Sequence, residues 1–95
     1  MLVIVKSAPD TTDGERGIKF ARDMAADIVL LQNGAYFVQG GKLEDLGFVG
    51  TAYILDDDRK LRGLKESDFG DRVKEINYDG VVDLMTESDK VVGMF

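Results

Sequence analysis

Three short runs constrain the fold of this chain more than any other feature: Leu2–Val5 ("LVIV"), Ile28–Leu31 ("IVLL") and Thr51–Leu55 ("TAYIL"). Each is too short for a helix, rich in β-branched residues and nearly free of polar alternation. A strand that is apolar on both sides has to be covered on both sides. That is the situation of a parallel sheet held between helices. Val73–Tyr78 reads as a weaker fourth strand, and Val91–Phe95 as a closing strand. The connecting segments read as helices, so the predicted order is β-α-β-α-β-α-β-α-β with right-handed crossovers. The expected fold is a compact, flavodoxin-like α/β three-layer sandwich around a mostly parallel five-stranded sheet. The chain has 95 residues, so residues 1–95 are expected to form a single domain. A chain of this size buries roughly 60–65% of its unfolded surface.

Local signals place the helices. Thr12 and Glu15 have capping-box spacing, which makes Thr12 the expected N-cap of the first helix. Ile18, Ala21, Met24 and Ala25 then share one face, and Glu15 and Lys19 form an i,i+4 pair. Gly17 is expected to pack closely against the sheet. Asn33-Gly34 turns the chain after the second strand, Ala35–Gln39 reads as one or two helical turns, and Gly40-Gly41 ends them. Leu43–Leu46 reads as a further short turn. "RKLRGL" is a short helix ended by Gly63, with Asp56-Asp57-Asp58 expected to cap its positive end. Ser67–Asp71 reads as loop, and Gly80–Thr86 as a short helix with a broad apolar face of Val81, Val82, Leu84 and Met85.

Composition excludes several kinds of function. The net charge of −6 argues against direct nucleic-acid binding, which relies on clustered Lys and Arg. There is no Cys and no His. Disulfides, thiolate metal sites, cysteine nucleophiles and imidazole bases are therefore all absent. No apolar stretch approaches the ~20 residues of a membrane span, and the start of the chain lacks the pattern of a secretory signal. The expectation is a cytoplasmic protein with no membrane association. "GGK" at Gly40–Lys42 is not a phosphate loop, because Tyr36 stands where the first Gly belongs and Leu43 where Ser or Thr belongs. The turn after the first strand, "SAPDTTDG", carries no dinucleotide fingerprint. Asp10 and Asp56-Asp57-Asp58 share the rim at the strands' carboxyl ends, where an Mg²⁺ site is chemically feasible. A phospho-acceptor domain, however, pairs two acids directly after its first strand, and only Asp10 stands there. No catalytic residue, metal site or cofactor is expected.

The candidate site is the turn after the second strand, since ligands of open α/β sheets bind beyond strand carboxyl ends. Tyr36 and Phe37 are adjacent there, so at least one is expected to face outward, toward a partner. The expected partner- or ligand-facing residues are Gln32, Asn33, Gly34, Tyr36, Phe37 and Arg62. Arg62 either supplies positive charge to an anion or closes its own helix.

"LLQNG", "DDDRKLRGL" and "INYDGVVDLM", followed by a terminal aromatic strand, together resemble the DsrH/TusB family of sulfur-relay subunits. The matching residues are Gln32, Asn33 and Gly34; Asp58, Arg62 and Gly63; and Tyr78, Val82, Asp83 and Leu84, with Phe95 near the family's terminal Trp. The resemblance implies a DsrE/F/H-like fold and a non-catalytic subunit that works beside DsrE/TusD-like and DsrF/TusC-like chains. In such assemblies a cysteine of the DsrE/TusD-type chain carries persulfide sulfur. One branch serves tRNA wobble-uridine thiolation, and another serves dissimilatory sulfur metabolism. Some family members carry a cysteine near the first helix, where Gly17 stands here, and another in the tail, near Ser88. This chain therefore has no thiol to hold a persulfide. The alternative is a stand-alone, self-associating module of the same fold that binds a small ligand or protein without sulfur transfer.

Overall fold

The computed structural model describes residues 1–93 and 95. Five parallel strands form one sheet in the order β4-β3-β2-β1-β5: β1 Leu2–Val5, β2 Asp27–Leu30, β3 Ala52–Leu55, β4 Val73–Ile76 and β5 Val91–Val92. The register pairs Val3 with Ile28, Ile28 with Ala52, and Ala52 with Val73. The helices are α1 Thr12–Asp23, α2 Lys42–Asp45, α3 Asp56–Leu61 and α4 Tyr78–Glu87. Two 3₁₀ segments, Gln32–Val38 and Glu66–Asp68, complete the set. The parallel sheet and the element order are those read from the sequence. No helix among the described residues is long and apolar enough to cross a membrane.

Each step from β1 through β4 moves the chain in the same direction along the sheet. Right-handed crossovers therefore put α1, the first 3₁₀ segment, α2 and α3 on one side. The return from β4 to β5 runs the other way and carries α4 to the opposite side. On the first side Val3, Val5, Ile28, Leu30, Ala52 and Ile54 pack against Ile18, Ala21, Phe37, Leu43 and Phe48. On the second side a smaller cluster centres on Leu2, Val29 and Val81.

Several local expectations are corrected. The N-cap of α1 is Thr11, not Thr12: its extended backbone lets Oγ1 accept from the Gly14 amide at 3.1 Å. Glu15 is then too far along the helix for a capping box and instead pairs with Lys19 at 3.8 Å. Asp56, Asp57 and Asp58 do not precede a helix but form the first turn of α3, where carboxylates favour its positive end. Gly63 follows the end of that helix at φ +66°, the left-handed geometry expected of it. Gly17 packs as expected, since a Cβ there would lie 2.6 Å from Phe95 Cβ and 3.0 Å from Val5 Cγ2. The closing strand is shorter than expected. After Val92 the backbone resumes pairing at Phe95, whose carbonyl accepts from the Lys6 and Ser7 amides while its own amide donates to Ile4. Met94, part of that expected strand, lies outside the described residues.

Candidate functional site

The turn that leaves β2 is built onto the end of β1. The Leu31 amide donates to Val5 O at 2.9 Å, and the Gly34 amide to Lys6 O at 3.1 Å. The two backbones approach so closely that a Cβ on Gly34 would sit 2.3 Å from Val5 O, so only glycine fits. Gln32, just before, holds φ +50°, a left-handed conformation that non-glycine residues adopt rarely and at a cost. Its amide donates to Asp58 Oδ2 at 2.8 Å. Asp58 Oδ1 in turn accepts from Arg62 Nη1 at 3.0 Å, and Arg62 Nη2 donates to Asn33 Oδ1 at 3.3 Å. This chain of bonds clamps the turn to α3.

The structure therefore divides the six expected site residues. Gln32 and Asn33 are exposed, Tyr36 is half-buried and Gly34 is buried in the backbone junction. Phe37 does not face a partner: it is 1% exposed and belongs to the core. On this 3₁₀ segment Gly34, Ala35, Phe37 and Val38 all turn toward the sheet. The aromatic pair thus splits, with Phe37 inward and Tyr36 toward the rim. Arg62 is not a free cation. Its side chain is only 15% exposed, its charge is offset by Asp58, and its Nε is buried without a partner among the described residues.

Two open depressions border this turn at the carboxyl ends of β1 and β2. One, of ≈ 460 Å³, lies between Pro9, Asp10, Asn33, Tyr36, Gln39 and Lys42. The other, of ≈ 230 Å³, shares Pro9, Asp10 and Lys42 and extends to Glu15, Asp45 and Leu46, with the otherwise buried Phe37 at its floor. Asn33 and Tyr36 were named from the sequence as site residues. Pro9, Gln39 and Lys42 were not, and the available signal was that two loops end on one rim. The groove offers a carboxylate, an ammonium, two amides and a phenol. It holds neither a thiol nor an imidazole, so it offers no covalent nucleophile of the persulfide-carrying kind. No cluster of three or more potential metal ligands converges among the described residues.

Comparison with known proteins matches residues 6–91 to a family model described as DsrH like protein. Among solved structures the chain is similar to the solution structure of protein Tm0979 from Thermotoga maritima, with 29% identity and a TM-score of 0.67 over 98% of this chain and 100% of that one. No curated protein matches significantly.

Proposed function

The chain belongs to the DsrH-like family, and from that membership we propose that it is a non-catalytic subunit of a cytoplasmic sulfur-relay complex. Its partners in this reading are DsrE/TusD-like and DsrF/TusC-like chains. The observation that carries the reading is a family match over most of a sequence that contains no Cys and no His. A persulfide needs a thiol to carry it, so in such a relay the sulfur travels on a neighbour. The rim groove between Asn33, Tyr36 and Lys42 then supplies a wall to the neighbour's site rather than a nucleophile. The acceptor is either tRNA wobble uridine or a step of dissimilatory sulfur metabolism.

Co-expression with the DsrE-like and DsrF-like chains of the same genome tests this reading. One complex containing all three chains is expected, with labelled persulfide sulfur on the DsrE-like chain alone and none on this one by intact mass. Tyr36→Glu should weaken the complex while leaving the circular dichroism of the isolated chain unchanged. A chain that purifies alone in the presence of both others, or that itself gains one reducible sulfur, would overturn the proposal.

A further inference from the structure

The rim groove holds two opposite charges that are left unpaired. Asp10 and Lys42 line both depressions, the one of ≈ 230 Å³ and the one of ≈ 460 Å³. Neither is ion-paired among the described residues, with the other or with a third group. Elsewhere opposite charges that share a surface do pair, as Glu15 with Lys19, Arg62 with Asp58 and Arg72 with Glu44. Half-buried Tyr36 and Gln39 line the same groove, and so does Asn33, whose Oδ1 is taken by Arg62 and whose Nδ2 faces no acceptor among the described residues. The walls are fixed in advance. Pro9 is rigid, Gly34 locks the turn against Val5, and the clamp through Asp58 and Arg62 holds Asn33. Gln32 keeps its costly positive φ inside that clamp, and backbone strain held by its surroundings clusters at ligand sites. The larger depression falls within the roughly 300–1,000 Å³ of small-molecule sites.

We propose that the groove binds a small zwitterion of the α-amino-acid class, with its ammonium on the Asp10 carboxylate and its carboxylate on the Lys42 ammonium. Charge selects this ligand. A simple anion would meet Asp10, and in the smaller depression Glu15 and Asp45 as well, on a molecule of net charge −6. A simple cation would meet Lys42. A zwitterion pairs with both, adds no net charge and makes a charge-assisted hydrogen bond at each end. Phe37 and Leu46 give its side chain an apolar bed in the smaller depression. An aliphatic side chain is therefore favoured there, and an acidic one is opposed by Glu15 and Asp45. The inference rests on the residues of the groove and holds whether or not the chain serves a sulfur relay. The co-expression result bears on the relay reading, and a titration of the isolated chain bears on the ligand.

Isotope-labelled full-length chain is titrated with L-leucine, with leucinamide, which lacks the carboxylate, and with N-acetyl-L-leucine, which lacks the ammonium, while amide shifts are followed by NMR. L-Leucine should shift the amides of Asp10, Asn33, Tyr36, Gln39 and Lys42 saturably. Each capped analogue forgoes one charge-assisted bond and should bind about tenfold more weakly. L-Glutamate should also bind more weakly than L-leucine. Lys42→Gln and Asp10→Asn should each weaken L-leucine about tenfold on the same ground. They also assign the two ends of the ligand. Lys42→Gln should make L-leucine and leucinamide bind alike, and Asp10→Asn should do so for L-leucine and N-acetyl-L-leucine. Circular dichroism checks each fold, and if a variant unfolds, the ligand series on the parent chain decides alone. The absence of saturable shifts, shifts centred away from the rim, or equal binding of L-leucine and its capped analogues overturns the proposal. So do folded variants that still discriminate among the three ligands as the parent does.

Discussion

The two faces of the sheet are made by the same strands, yet only one of them is closed. On the α1 side Phe37 and Phe48 are each 1% exposed, and Val3, Val5, Ile28, Leu30 and Ile54 lie beneath them, fully buried. On the α4 side Tyr53 and Leu55 flank Ile54 along β3, and with Ile76 of β4 they remain half-buried. Composition does not produce the difference; connectivity does. Three crossovers travel one way along the sheet and stack their elements on one face, while the single return crossover leaves α4 alone on the other. The second face thus carries more apolar surface than the described residues cover.

The largest expected effect comes from the segment that joins both faces. Val91 pairs with Leu2 and belongs to the α4-side cluster. Phe95 reaches the other side, its ring centroid 5.7 Å from that of Phe20. Deleting Val91–Phe95 should abolish cooperative unfolding, since burial of one Phe alone contributes roughly 1.5–3 kcal/mol. Urea denaturation followed by circular dichroism is the check, and an unchanged midpoint would mean that the closed face holds the fold without its edge strand.

Next in size is a direct contrast of the faces. Phe37→Ala removes a buried ring and should cost about 3–5 kcal/mol. Val82→Ala, on the exposed side of α4, should stay within about 0.5 kcal/mol of the parent. Equal losses for the two variants in the same urea series would erase the distinction between closed and open faces.

The element order was legible because strands apolar on both sides have few alternative environments, and Asn33-Gly34 and Gly63 mark where the chain must turn. The expected outward aromatic was misread at Phe37. Adjacent aromatics do diverge on a short helix, but which of them turns inward depends on Gly34 locking the segment against Val5 and Lys6, a contact made across nearly thirty positions of sequence. The clamp from Asp58 through Arg62 to Asn33 was hidden for the same reason: both ends were named, but their meeting is tertiary. The broad apolar face of α4 was visible as Val81, Val82, Leu84 and Met85. That half of it stays exposed follows from the strand order, which no local pattern encodes.

The clamp gives an intermediate effect on the closed side. Asp58→Ala leaves the largely buried Arg62 guanidinium without its counter-charge and frees the strained Gln32 amide. A loss of about 1–3 kcal/mol is expected from an unsatisfied group of this kind. Asp58→Asn keeps an acceptor for Gln32 and should fall between alanine and the parent in melting temperature. If asparagine and alanine destabilise equally, the charge opposite Arg62 matters and the bond to Gln32 does not.

The smallest effect belongs to the open side, where α4 hands the chain on to β5. Asp89 lies 3.1 Å from the amino terminus, and a hydrogen bond from that ammonium, followed by its charge, lowers the Asp89 pKa from 3.8. The folded pKa is depressed below the unfolded one, so the stabilisation is present in full above the ordinary aspartate range. It is lost as pH falls through the folded pKa, in acid below about 4. Asp89 is fully exposed, so salt should screen the contact. An NMR titration of the Asp89 carboxyl carbon should give a midpoint below that of an unpaired aspartate at low salt, drifting upward as salt is added. Asp89→Asn should leave the melting temperature at neutral pH almost unchanged and slightly flatten its decline in acid. A midpoint at the ordinary aspartate value would show that this end of the open face is untethered in solution, and the contrast with the clamped, closed face would then be sharper than the structure draws it.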